Sequence, residues 1–192
     1  LQQRFEQDSI GCDMGQVSPP LKAYIDQLPE SAKDQAILVP GAGNAYEVSY
    51  LHEQGFTNVT LVDFASAPIE AFAERHPDFP AEHLICADFF DLSDEQYQFD
   101  WVFEQTFFCA INPARRDEYV EKMAALLKPK GQLVGLLFDK DFGRQEPPFG
   151  GTKQEYRQRF ATHFDIEIME PSYNSHLARQ GSELFIKMRI KD

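Results

Sequence analysis

The chain has 192 residues, 43% of them hydrophobic, enough for one sizeable core and too little for two full domains. Eighteen Lys and Arg stand against 31 Asp and Glu, a formal net charge of −13, so the average field repels phosphate backbones and anionic membrane surfaces and argues against a nucleic-acid or membrane partner. Cys12, Cys86 and Cys109 are an odd set without C-x-x-C spacing and are expected as reduced thiols in a cytoplasmic protein.

In chain order, the opening residues "LQQRFEQDSI" are too polar for the apolar region of a signal peptide, and no apolar run of about 18 residues follows. Ser18, with Pro19 and Pro20 behind it, reads as the N-cap of a helix through "LKAYIDQL". Five short apolar runs rich in strand formers come next: "AILVP" (36–40), "NVTLVD" (58–63), "EHLICAD" (82–88), "FDWVFEQ" (99–105) and "QLVGLLF" (132–138). Helical patterns lie between them at 46–54, 66–75 and 114–127, the last opened by Pro113 and closed by "KPKG". Such alternation predicts an α/β fold, a Rossmann-like, mostly parallel sheet with helices on both faces. After Phe138 the pattern changes. A loop "DKDFGRQEPPFGG" leads to the helical "KQEYRQRFATHF", and "DIEIME" and "ELFIKMRI" alternate like an antiparallel strand pair. The expected organisation is one domain over 1–192: an N-terminal segment and helix (1–30), a parallel core (36–138), and a loop, helix and strand pair (139–192).

The stretch "AILVPGAGNAYEV" joins the first strand to its helix. Gly41 and Gly43 let backbone approach a ligand, and the free N–H groups of the helix start favour negative charge there. Tyr46 puts a large ring where the third glycine of a dinucleotide motif would stand, so NAD fits less well. Asp63, twenty residues after Gly43 at the end of the second strand, is placed to accept from ribose hydroxyls. That role is common to NAD and S-adenosylmethionine. The third strand ends in "CADFF", with Asp88 positioned for an adenine amine, Phe89 for the ring's face, and Phe90 for the core.

Together, "LVPGAGNAYEV", "VTLVDFASAPIEAF", "ADFF", "FDWVFEQTFFCAINPARRDEYVEKMAALLKPKGQLVGLLF" and "PPFG" resemble the thiopurine S-methyltransferase family. The likeness is strongest to its branch that methylates thiocyanate, halides or small thiols, and "DMGQVSPPLKAYIDQL" extends it upstream. The resemblance implies an S-adenosylmethionine-dependent methyltransferase with a seven-stranded sheet whose last strand is antiparallel, yielding S-adenosylhomocysteine and needing no metal. By position it places Gly41 and Gly43 at the methionine part of the cofactor, Asp63 at the ribose, Asp88 and Phe89 at the adenine, and Glu104 and Gln105 along the cofactor. Some relatives carry Tyr at the position of Gln105. Where relatives usually have Trp before Asp13-Met14-Gly15, this chain has Cys12, leaving a thinner lid over the cofactor or one completed by another ring such as Phe5.

Methyl transfer from a sulfonium is a direct displacement, so the protein has to align the groups and exclude water, and no residue is singled out as catalytic. Glu104 and the faces of Phe107 or Phe108 are expected to tolerate the sulfonium charge. Soft nucleophiles attack without a base, whereas an alcohol needs one. None is evident: His52, His76, His83, His163 and His176 show no metal-ligand spacing, and no G-x-S-x-G elbow occurs. "EQTF" stands where amino methyltransferases carry Asn-Pro-Pro-aromatic. Pro147, Pro148 and Phe149 are expected to form an apolar wall over a small acceptor, with Arg144 or Arg115 attracting an anionic one and Arg116 on the exposed helix face. The expected function is methylation of a thiol, sulfide, thiocyanate, halide or thiopurine by a monomer or weak oligomer. A small-molecule O-methyltransferase and a non-catalytic S-adenosylmethionine-binding protein are the alternatives.

Overall fold

Runs of β-branched and aliphatic residues bounded by Gly, Pro or Asp form the strands: β1 (Ile37–Pro40), β2 (Val59–Asp63), β3 (Leu84–Cys86), β4 (Phe99–Gln105), β5 (Leu127–Phe138), β6 (Phe164–Pro171) and β7 (Glu183–Ile190). The helices are α1 (Pro19–Ile25), α2 (Tyr46–Glu53), α3 (Ser66–Arg75), α4 (Arg116–Leu126) and α5 (Lys153–Phe160). The computed structural model describes residues 13–192, and the lid roles considered for Cys12 and Phe5 lie outside them.

The seven strands make one sheet in the order β3-β2-β1-β4-β5-β7-β6. β1 pairs in parallel with both β2 and β4, β3 and β5 extend the parallel array, and β7 alone runs antiparallel to its neighbours. The winding therefore reverses at β1, where the chain leaves β1 toward one edge and later returns on its other side. Such a switch point opens a crevice at the carboxyl ends of the adjacent strands.

Two cores cover the two faces of this sheet. Leu21, Ile25, Val48, Leu51, Ile69 and Phe72 bring α1, α2 and α3 onto one face, and Tyr119, Val120, Met123, Tyr156 and Phe160 bring α4 and α5 onto the other. Burying each such side chain contributes about 1.5–3 kcal/mol, which is why apolar stripes on otherwise polar helices suffice to fix the layers.

Two local expectations need correction. Ser18 does occupy the N-cap of α1, with proline in the first turn, but its hydroxyl makes no capping bond. Instead its backbone N–H donates to Glu47 Oε1 at 3.0 Å, tying α1 to the start of α2. Pro113 opens a 3-10 turn (Pro113–Arg115) rather than the α-helix. The α-helix ends before "KPKG", because Leu127 is already extended and pairs with Phe99, so β5 begins earlier than the apolar run alone suggests.

Candidate functional site

β1 ends in the glycine turn. Gly41 has φ +80° and Gly43 φ +47°, conformations that L side chains rarely adopt. A Cβ on Gly41 would lie 2.8 Å from Cδ2 of Phe107, whereas one on Gly43 would meet nothing within 4 Å among the described residues. The first glycine thus admits an aromatic ring from β4's exit, and the second presents bare backbone to open space. Asp63, at the end of β2, is held against this turn: Ala42 N–H donates to Oδ2 at 2.8 Å, while Oδ1 accepts from Ala65 N–H in its own loop at 2.8 Å. Tyr46 starts α2 and lines the same cleft. On the outer side Asp13 accepts from Asn44 Nδ2 at 2.6 Å and from Gly15 N–H at 2.7 Å, strapping the N-terminal segment over the turn.

The end of β4 divides the roles expected of Glu104 and Gln105. Alternation along a strand sends neighbours to opposite faces. Glu104 enters the core under α4 and is 0% exposed. Its Oε1 accepts from Phe107 N–H at 2.8 Å and Phe108 N–H at 2.9 Å, and its Oε2 from the Tyr119 hydroxyl at 2.6 Å. It does not line the cleft, so the cofactor and sulfonium contacts expected of it are corrected: Glu104 is a brace. Burial pushes its carboxyl up to about 7 against the pull of those three donors. The brace folds the exit of β4 sharply and leaves Thr106 at φ +56°, an outlier for a β-branched residue of a kind that clusters at functional sites. Gln105, by contrast, lines the cleft. It is 9% exposed, and neither its Oε1 nor its Nε2 has a hydrogen-bond partner among the described residues. A buried amide with both ends unmet costs a few kcal/mol unless a ligand or water satisfies it.

Between the turn and β4 runs a cleft with about 170 Å³ of free space, lined among others by Met14, Gln16, Thr106, Cys109, Pro147 and Pro148. It continues past Phe64, 56% exposed, toward Asp88. The Phe64 position was not anticipated, although it directly follows Asp63 and the sheet ends there. At the far end Asp88 is exposed and caps a 3-10 turn through Phe90 N–H at 2.9 Å. Phe89 touches the cleft but is 3% exposed, packed against Phe90, Phe107 and Tyr119. Both rings line this end of the cleft, Phe89 mostly buried in the core and Phe90 part-buried against it, so the division expected between them is not a sharp one.

Other expected substrate contacts fall elsewhere. Phe107 lines the cleft, but Phe108 is core, edge-on to Tyr119 and Tyr156. Arg115 forks onto Glu118 at 2.7 and 2.8 Å and stacks 3.7 Å over Phe90, at the Asp88 end rather than beside Gln105. Arg144 is exposed, 5.4 Å over Phe142, and is not part of the cleft wall. Phe149 does not line the cleft; Pro147 and Pro148 do, while Phe149 N–H donates to Cys109 O at 2.7 Å. Arg116, expected on the exposed helix face, is 2% exposed.

Known proteins resemble this chain in sequence and in fold. The sequence is 26% identical over 183 residues to a thiopurine S-methyltransferase of Nitrosospira multiformis, covering 87% of this chain and 82% of that protein. It is 30% identical over 178 residues to thiocyanate methyltransferase 1 of Brassica oleracea, covering 89% and 76%. In fold it is similar to the N-methyltransferase NodS from Bradyrhizobium japonicum, solved with S-adenosyl-L-homocysteine, with a TM-score of 0.73 at 14% identity over 100% of this chain and 98% of that one. The profile described as Thiopurine S-methyltransferase matches residues 1–186, and the chain belongs to that methyltransferase family.

Proposed function

We propose that the cleft binds S-adenosylmethionine and directs its methyl group to a small soft nucleophile, with S-adenosylhomocysteine as the product. The observation that carries this reading is the Asp63 carboxylate held against the glycine turn. Each Asp63 oxygen accepts one backbone N–H and keeps a further lone pair, which suits paired ribose hydroxyls. Gly43 leaves the turn open toward the methionine part, and exposed Asp88 with the ring of Phe64 frames the adenine end.

The bound cofactor supplies an electrophilic methyl group. The chain's part is alignment and exclusion of water. Phe107 offers an aromatic wall tolerant of positive charge. Gln105, with both amide ends unpartnered, makes the polar contact on the acceptor side. Among the described residues no His, Lys or Arg lines the part of the cleft around Gln105, and the carboxylates there, Asp13, Glu47 and Asp63, are each engaged by N–H donors. This favours acceptors nucleophilic without a base over alcohols. With Arg115 and Arg144 away from Gln105, thiols and thiopurines rank ahead of thiocyanate and halides. We place the reaction in the cytoplasm, in keeping with Cys86 as a reduced thiol.

Incubation with methyl-labelled S-adenosylmethionine and a panel of thiols, thiopurines, thiocyanate, iodide and catechols tests this reading. Label transfer to thiols is the expected result. Transfer to catechols alone, or to nothing in the panel, contradicts it.

A further inference from the structure

Arg116 is the first residue of α4 and is almost wholly buried. An arginine needed only to fill space would be replaceable by an apolar side chain of similar volume, often at no loss of stability. Here the planar fork is used. Nη2 donates to Gly150 O at 2.7 Å and Nη1 to Glu155 Oε1 at 2.9 Å, while the guanidinium carbon lies 4.7 Å from the Phe108 ring centre and 5.9 Å from that of Tyr156. One cation therefore touches three separate pieces of chain: the exit turn of β4, the loop after β5, and α5.

The loop it grips is the one that supplies Pro147 and Pro148 to the cleft. Phe149 N–H reaches Cys109 O at 2.7 Å, and Cys109 itself lines the cleft. At Gly150 a Cβ would collide with the Lys140 carbonyl, and at Gly151 with the Tyr156 hydroxyl, so the backbone is pressed against its supports where Arg116 takes hold. Phe108, under the guanidinium, is bound through its N–H to Glu104. The proline wall and the β4 exit, which face each other across the acceptor end, thus share one buried anchor. Asp63 and Gly43 lie on β2 and the β1 turn and have no bond to it.

We infer that Arg116 is a positioning residue that sets the distance between the Pro147–Pro148 wall and the Gln105 end of β4, and so the alignment of the methyl acceptor. The inference rests on the proposed methyl transfer in this cleft. A displacement reaction loses rate steeply when its partners are misplaced by as little as about 1 Å. Loosening the wall accordingly affects the acceptor and spares cofactor binding.

The test compares Arg116→Lys, whose single ammonium cannot reproduce the two-armed fork, with Glu155→Gln, which removes only the charge, keeping an acceptor oxygen for Nη1 and the Gly150 contact. Three quantities are measured on the full chain: S-adenosylhomocysteine affinity, kcat/KM for the best thiol, and backbone hydrogen exchange over 147–151 in the S-adenosylhomocysteine complex. Expected for R116K are a fall in acceptor kcat/KM of about tenfold or more, faster exchange over 147–151, and S-adenosylhomocysteine affinity unchanged within about twofold. E155Q is expected to keep near-normal kcat/KM. An R116K protein that melts lower yet keeps its acceptor kinetics and exchange overturns the inference, as does an E155Q protein equally impaired. If the wild type methylates nothing, the proposed function fails, and the exchange measurement still decides whether Arg116 holds the wall.

Discussion

Tyr119 donates its hydroxyl to Glu104 Oε2 at 2.6 Å, joining the middle of α4 to the end of β4 inside the core. The other oxygen of Glu104 holds the N–H groups of Phe107 and Phe108, so one buried carboxylate fixes the turn that aims Gln105 and Thr106 into the cleft. Burial raises the Tyr119 hydroxyl well above its ordinary pKa, which keeps it a donor.

This brace gives the fold a pH signature. The Glu104 carboxyl is raised from 4.5 to about 7, so the folded chain binds this proton more tightly than the unfolded chain. Its stabilising contribution is present in full below pH 4.5 and is lost as pH rises through about 7. Glu104→Gln keeps an acceptor for the two backbone N–H groups and removes the titration. Denaturant unfolding from pH 4 to 8 should give a wild-type stability that falls relative to E104Q as pH rises from 4.5 to about 7 and runs parallel to it outside that window. Profiles parallel throughout would contradict the assignment.

Strain at Thr106 makes a second prediction. A β-branched residue at φ +56° is held at a cost of about 1–2 kcal/mol, part of which glycine would recover after its own entropy loss. Thr106→Gly should be as stable as the wild type or more stable by up to about 1 kcal/mol, read as an equal or higher Tm, with Glu104 intact. A clear drop in Tm would mean that the Thr106 side chain supplies more than the backbone loses.

The two glycines of the turn should separate fold from ligand. Gly41→Ala places a methyl group against the Phe107 ring and should cost about 1–3 kcal/mol, lowering Tm by roughly 2–4 °C per kcal/mol. Gly43→Ala meets no atom of the described residues and carries the penalty of its positive φ. Its larger effect should be on cofactor affinity, because the new methyl group enters the space assigned to the ligand. Calorimetry and thermal melts on both variants check the contrast.

Much of this was readable in the sequence, for definite reasons. β4 and β7 lie at their expected bounds because apolar runs or strict alternation mark both ends, and the 20-residue step from Gly43 to Asp63 placed a carboxylate beside the turn. Glu104 and Gln105 were read as one pair, although period-two alternation puts Glu104 on the same face as core Val102; that signal was available. The burial of Arg116 was not, since its partners Gly150 and Glu155 are 34 and 39 residues away and a charge in a first helical turn normally faces water. The wall expected of Pro147 and Pro148 is present, whereas the turning of Phe149 away from it shows only in three dimensions.

The central claim is that Asp63 and the Gly41–Gly43 turn together hold S-adenosylmethionine, and the most direct test is calorimetric titration of S-adenosylhomocysteine into the wild type and Asp63→Asn. The account predicts micromolar binding by the wild type and a loss of about tenfold or more in D63N, the equivalent of one charge-assisted hydrogen bond at about 1.5–3 kcal/mol. Equal affinity in the two proteins, or no binding by the wild type, would contradict it.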